Sequence, residues 1–195
     1  MNISDYMEFL KNRLILVKPH IIKSGLYKEA SVLIPIFEKE EDIYLLFTKR
    51  SNNVEHHRGQ ISFPGGRVDD TDVSVEYTAL REANEEIGLK REDVYILGRL
   101  NDTITYASGY IVHPFVGVIP YPYNFKINKD EVERILFVPL KFFLKDNSLK
   151  MRSIYHDSKI YNSLSYEYNG ELIWGATARI IQNFINIISG CSSVG

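Results

Sequence analysis

An α/β sandwich is the fold class this sequence predicts, and three observations predict it. Short runs rich in β-branched and aromatic residues recur along the chain, among them Val32–Phe37, Ile43–Lys49, Val94–Leu100 and Tyr110–Ile119. Two principal stretches with helical periodicity, Val73–Ile87 and Ala176–Ile188, interrupt those runs. The chain has 195 residues, 45% of them hydrophobic and 25% charged, which is the make-up of one globular domain with a sizeable core.

The N-terminal segment Ser4–Leu16 reads as an amphipathic helix with Met7, Leu10 and Leu14 on one side. Asp5 and Glu8 form a capping pair at its start, and Pro19 marks its end. Residues 1–27 are therefore a helix and lead-in, 28–189 the main domain, and 190–195 a frayed tail. The first two strands join through the acidic turn Glu38–Asp42, and a polar loop spans Ser51–Gln60. The main helix starts at a cap supplied by Ser74 or Asp72 and stops at Gly88, the usual left-handed residue past a helix. Ser108-Gly109 breaks the chain between the next two strands, and Pro120 and Pro122 end the second of them. An apolar stretch then runs to Leu144, interrupted at Pro139. Met151–Tyr155, Ile160–Tyr168 and Glu171–Trp174 alternate like strands, with a turn at Asn169-Gly170. Trp174, flanked by Ile173 and Ile180, reads as core.

A formal net charge of −2 gives no footprint for non-specific nucleic-acid binding. The single cysteine, Cys191, excludes an internal disulfide and fits a reducing, cytoplasmic setting. No signal peptide is visible, and no apolar run approaches the roughly 18–20 residues that span a bilayer. Association as a homodimer is allowed for.

The most informative feature is the main helix. Glu82, Glu85 and Glu86 stand at i, i+3 and i+4 and share one face. Like charges so placed destabilise a helix by roughly 0.2–0.5 kcal/mol per pair. Two of the three also lie in the last turn, where the dipole disfavours an anion by about 0.3–1 kcal/mol. Leu80, Ala83 and Ile87 form a separate apolar stripe, so one side can pack while the other faces a cleft. A solvated acidic face is the ordinary explanation of such a triplet. Three hard oxygen donors on one face also suit Mg²⁺ or Mn²⁺, and with no His or Cys among them they do not suit zinc.

Gly66, Asp72, Arg81-Glu82-Ala83 and Glu85-Glu86-Ile87-Gly88-Leu89 resemble the Nudix box. That box reads Gly, five residues, Glu, seven residues, Arg-Glu-aliphatic, one residue, Glu-Glu, one residue, Gly-aliphatic. The right half matches throughout. On the left, Asp72 stands where Glu is usual, and eight residues separate it from Arg81. The segments Leu46-Phe47-Thr48-Lys49-Arg50-Ser51 and Gly59-Gln60-Ile61-Ser62-Phe63-Pro64-Gly65-Gly66 are similar to the upstream signature of the coenzyme A diphosphatases within that family. Tyr110–Gly117 and Ile173–Arg179 are similar to the same branch, so the likeness runs in patches from about Val32 to Ile188. Where that signature often carries arginine, this chain has Glu55.

The resemblance implies a mixed sheet between helices, a divalent cation, and hydrolysis of coenzyme A to 4′-phosphopantetheine and adenosine 3′,5′-bisphosphate. It implies Gly66, Glu82, Glu85 and Glu86 as metal ligands, with Arg81 orienting the loop and the carboxylates, partly through Asp72. The general base is a box glutamate or a carboxylate from a later loop, for which Glu131 and Glu133 are candidates; a solvated helix start is the ordinary reading of that pair. Lys49, Arg50, His57 and Arg58 form a basic cluster suited to substrate phosphate. Two alternatives remain open. One is the same chemistry on ADP-ribose, NADH or a nucleoside triphosphate, and the other is a nucleotide-binding module without turnover.

Overall fold

The computed structural model describes residues 3–51, 59–105, 108–156 and 158–190. Helix α1 spans Ile3–Ile15, followed by strands β1 (Lys28–Lys39), β2 (Asp42–Arg50), β3 (Ile61–Ser62) and β4 (Gly65–Arg67). Helix α2 is Val75–Ile87, and a short 3₁₀ turn covers Arg91–Asp93. Strands β5 (Tyr95–Arg99), β6 (Thr103–Thr105), β7 (Tyr110–Val118) and β8 (Val132–Pro139) precede a single helical turn, α3 (Leu140–Phe143). The chain closes with β9 (Leu149–His156), β10 (Lys159–Tyr168), β11 (Glu171–Trp174) and α4 (Gly175–Ile188).

Eight strands form a mixed sheet ordered β3-β2-β1-β7-β5, with β4 on β1, β6 on β7 and β8 on β2. Its centre is the parallel pair β1 and β7, in register from Lys28 opposite Tyr110 to Ile36 opposite Val118. Side chains alternate across the sheet. Leu33 and Phe37 of β1 face one way, into a core shared with Ala79, Leu80, Ala83 and Ile87 of α2. Ile34 and Ile36 face the other way, into a larger core with Leu10 and Leu14 of α1 and Ile181 and Phe184 of α4. The sheet is therefore held between helices, as the pattern predicts. Strands β9, β10 and β11 form a separate antiparallel sheet.

Local chemistry sets the turns. Glu40 and Glu41 both take positive φ, 53° and 59°, in the two-residue link between β1 and β2. Positive φ at both positions matches the right-handed twist of the flanking strands. Asn169 and Gly170, at 50° and 80°, do the same between β10 and β11, at the predicted turn.

Several elements differ from the sequence reading. Strand β6 was not expected; its three residues are tied to β7 across the Ser108-Gly109 break. The stretch before Pro139 is a strand, β8, whose partner β2 lies more than eighty residues away in sequence. Lys129–Glu131 form a turn that feeds β8, not a helix start. Trp174 is only half-buried: it ends β11, and its ring lies 5.6 Å from that of Tyr161. Its neighbour Ile173 takes the core position, because alternation along the strand sends adjacent residues to opposite faces.

Candidate active site

Helix α2 begins where Ser74 accepts a hydrogen bond from the Tyr77 N–H at 3.1 Å, so Ser74 is the cap. Asp72 is left for another task. Its carboxylate is fully enclosed and takes a two-pronged contact from Arg81, Nε to Oδ1 at 2.9 Å and Nη2 to Oδ2 at 3.0 Å. Thr78 Oγ1 and the Asp69 N–H also donate to Oδ2. The hydrogen bond from Arg81, above all, holds this carboxyl well below the usual range. The shorter Asp therefore still reaches across the longer interval that precedes Arg81.

Arg81 is the hub. Besides Asp72 it donates to the Arg67 carbonyl at 3.1 Å, and its Nη1 sits between Glu82 Oε1 at 3.0 Å and Glu85 Oε2 at 2.9 Å. The guanidinium fork suits several oxygens in one plane, which a lysine ammonium does not. One side chain thus ties the loop after β4 to two of the three glutamates.

The three glutamates share a helix face but not an environment. Glu85 is 52% exposed, Glu82 14% and Glu86 2%. Burial pushes the Glu86 carboxyl up to about 8, against the opposing pull of Arg50 and of the Gly65 N–H that reaches it. Burial also raises Glu82, partly offset by Arg81. Glu86 Oε2 is buried with no hydrogen-bond partner among the described residues. A buried carboxylate oxygen left in this state is costly unless something fills the gap.

The glycines explain how the strand comes so close. A Cβ on Gly66 would stand 2.4–2.5 Å from the Glu82 carboxyl group. A Cβ on Gly65 would meet the Ser31 carbonyl oxygen at 2.3 Å, and Gly65 has φ +155°. Only glycine lets β4 pair with β1 while lying against the acidic face.

The far end of α2 brings in the later loop. The N–H groups of Lys126 and Asn128 donate to the carbonyls of Ile87 and Glu86, both at 2.9 Å. Asn128 in turn donates through Nδ2 to Glu131 Oε1 at 3.1 Å. Glu131 thereby adds its charge to the field at Glu82 and Glu86. Asn128 carries no signal in the sequence; its part comes from backbone pairing with the helix end. Glu133 lies apart from this group and pairs with Lys49 at 3.8 Å.

The basic residues separate. Lys49 forms an ion pair with Glu171 of β11 at 3.2 Å. Arg50, the next residue, turns towards Glu86, Nη1 to Oε1 at 3.7 Å. The expected basic cluster is therefore not gathered at these two positions, because neighbours on a strand face opposite sides. His57, Arg58 and Glu55 lie outside the described residues.

Among the described residues, no three His, Cys, Asp or Glu side chains already converge to hold an ion. Two guanidinium groups stand among the carboxylates instead. The donor set nevertheless fits a hard divalent cation: oxygen ligands alone, a buried orphan oxygen on Glu86, and a glycine cradle at Gly66.

Comparison with known proteins accords with this geometry. The NUDIX domain profile matches residues 27–157. An uncharacterized Nudix hydrolase, NudL, of Escherichia coli O139:H28 is 36% identical over 177 residues, covering 90% of this chain and 91% of that protein. A NudL of Shigella boydii serotype 18 is 37% identical over 172 residues, 88% of each chain. Among solved structures, a MutT/nudix family protein from Enterococcus faecalis aligns with TM-score 0.56 at 12% identity, over 97% of this chain and 70% of that one.

Proposed function

The chain belongs to the Nudix hydrolase family, which acts on diphosphate linkages of nucleoside derivatives, and from that premise we propose that its substrate is coenzyme A or a derivative of it. The products are 4′-phosphopantetheine and adenosine 3′,5′-bisphosphate. The observation that carries the chemistry is Glu86: a carboxyl group 2% exposed, beside Glu82, with one oxygen unpartnered among the described residues. Such a group calls for a cation, and a diphosphate arrives with one. The coenzyme A reading rests on the likeness of Leu46–Ser51 and Gly59–Gly66 to the coenzyme A diphosphatases; these segments run along β2 and through β3 to β4, beside the acidic helix.

Glu82, Glu85, Glu86 and the Gly66 carbonyl would hold Mg²⁺ or Mn²⁺. When bound, such an ion supplies charge neutralisation at the phosphates and activation of water. Arg81 keeps Glu82 and Glu85 in place, with Asp72 fixing Arg81 in turn. Glu131, or a box glutamate, takes the proton from water as its oxygen bonds to phosphorus. The bridging P–O bond breaks, and the bridging oxygen leaves with the other phosphate. The contribution of the residues is positioning and charge, which is most of what phosphoryl chemistry asks of a protein.

Glu55 favours a second reading, in which the same centre acts on ADP-ribose, NADH or a nucleoside triphosphate. Incubation with coenzyme A and Mg²⁺, beside that panel, separates the two. Ranking by kcat/KM with coenzyme A first, and adenosine 3′,5′-bisphosphate as product, supports the proposal. No bisphosphate from coenzyme A, alongside turnover of another dinucleotide, rejects it.

A further inference from the structure

Arg50 ends β2 with its backbone clamped. Its N–H donates to the Gln60 carbonyl at 3.0 Å, and its own carbonyl accepts from the Gly59 N–H at 3.2 Å. One residue on, the Ser51 N–H donates to the Glu131 backbone carbonyl at 2.7 Å. The side chain is less well satisfied. Nη1 stands 3.7 Å from Glu86 Oε1, beyond a good hydrogen bond, and the buried Nε has no partner among the described residues. Glu86 Oε2 is equally unpartnered. The guanidinium and the Glu86 carboxyl group thus face each other with spare hydrogen-bonding capacity on both sides. A guanidinium cannot lose its charge, so it can relieve the site only by moving. The fixed backbone and a partly exposed, four-torsion side chain allow that movement without refolding.

We propose that Arg50 is a placeholder cation: it stands against Glu86 in the metal-free protein, gives way when a divalent cation docks, and then turns to the diphosphate oxygens of the substrate. The role rests on the metal site proposed above. One residue then serves both states, keeping the buried carboxylate tolerable before loading and gripping phosphate afterwards. Removing Arg50 therefore shifts the two affinities in opposite directions. Loss of a merely structural contact would weaken both.

The test uses the full chain, with Mg²⁺ alone and then α,β-methylene-ADP at saturating Mg²⁺, in titration calorimetry. It is run at about pH 8.5 so that protons compete little with the ion. Arg50→Met is expected to lower the metal-free melting temperature. It should tighten Mg²⁺ binding about threefold or more, through loss of a competing cation. It should weaken the nucleotide analogue about tenfold, the loss of a charge-assisted contact. Unchanged or weaker Mg²⁺ binding by Arg50→Met overturns the proposal. If Arg50→Met does not fold without metal, the double variant with Glu86→Gln decides: recovery of the fold supports the placeholder role, and equal loss overturns it. Failure of the wild-type chain to take up Mg²⁺ rejects the metal site itself, a different outcome from opposed affinities that do not appear.

Discussion

Asp72 and Glu86 are both buried carboxylates, yet their neighbours push them in opposite directions. Asp72 is held by a fork of donors from Arg81, so its charged form is favoured. A carboxyl depressed in the folded state adds stability above its unfolded value of about 3.9, and loses it as pH falls through the folded value. Asp72→Asn should therefore lower stability by about 2–3 kcal/mol at neutral pH, since it takes the charge out of the two-pronged contact with Arg81. The deficit, read from urea unfolding, should shrink below about pH 4, where the wild type loses the same contribution. Glu86 behaves in the reverse sense. Its carboxyl rises from 4.5 to about 8, so between those values the folded state holds a proton that the unfolded chain does not. Metal-free stability then falls as pH rises through that window. Glu86→Gln should remove this slope and make the metal-free protein more stable than wild type, by about 1 kcal/mol or more above pH 8, while abolishing turnover. A variant less stable than wild type across the whole range would contradict the assigned desolvation.

At the scale of elements, the junction of β4 and α2 has two adjacent glycines with different tasks. Gly65→Ala puts a methyl group into the Ser31 backbone, so it should destabilise the fold by about 2–3 kcal/mol and lower the melting temperature. The atoms nearest an added methyl in Gly66→Ala all belong to the Glu82 side chain, which can swing away. It should leave the melting temperature within a few degrees of wild type and weaken metal binding tenfold or more, a loss of about 1.4 kcal/mol. Equal effects of the two on melting would contradict this division. The helix itself is readable because its signals are local: a cap at Ser74 or Asp72, the stripe at Leu80, Ala83 and Ile87, and the stop at Gly88. The partners of Asp72 were partly readable through the family pattern. Asn128 and Glu131 were harder, since Glu131 reaches the helix through backbone bonds from Lys126 and Asn128 to carbonyls some forty residues earlier. Thr103–Thr105 carries no strand signal because three residues are too few for alternation to register.

Over the whole molecule, α2 covers one face of the mixed sheet while α1 and α4 cover the other. Fold class follows from the alternation of strand and helix patterns, and that much was legible. Strand order was not, because the pairing of β8 with β2, and of β1 in parallel with β7, depends on contacts distant in sequence. Trp174 shows a related limit: its neighbours are core, but its place on the strand decides its face. Because the acidic face is incompletely neutralised without an ion, metal should stabilise the entire domain. At a hundredfold excess over Kd, Mg²⁺ should add about 2.7 kcal/mol. For a chain of this size that raises the melting temperature by about 5–10 °C, read by thermal scan. The central claim is met most directly by titrating Mg²⁺ into wild-type protein and Glu86→Gln side by side in a calorimeter. Saturable uptake by the wild type, weakened at least about a hundredfold in the variant, a difference of about 2.7 kcal/mol, is the predicted result. Equal uptake by both chains, or none by the wild type, would contradict it.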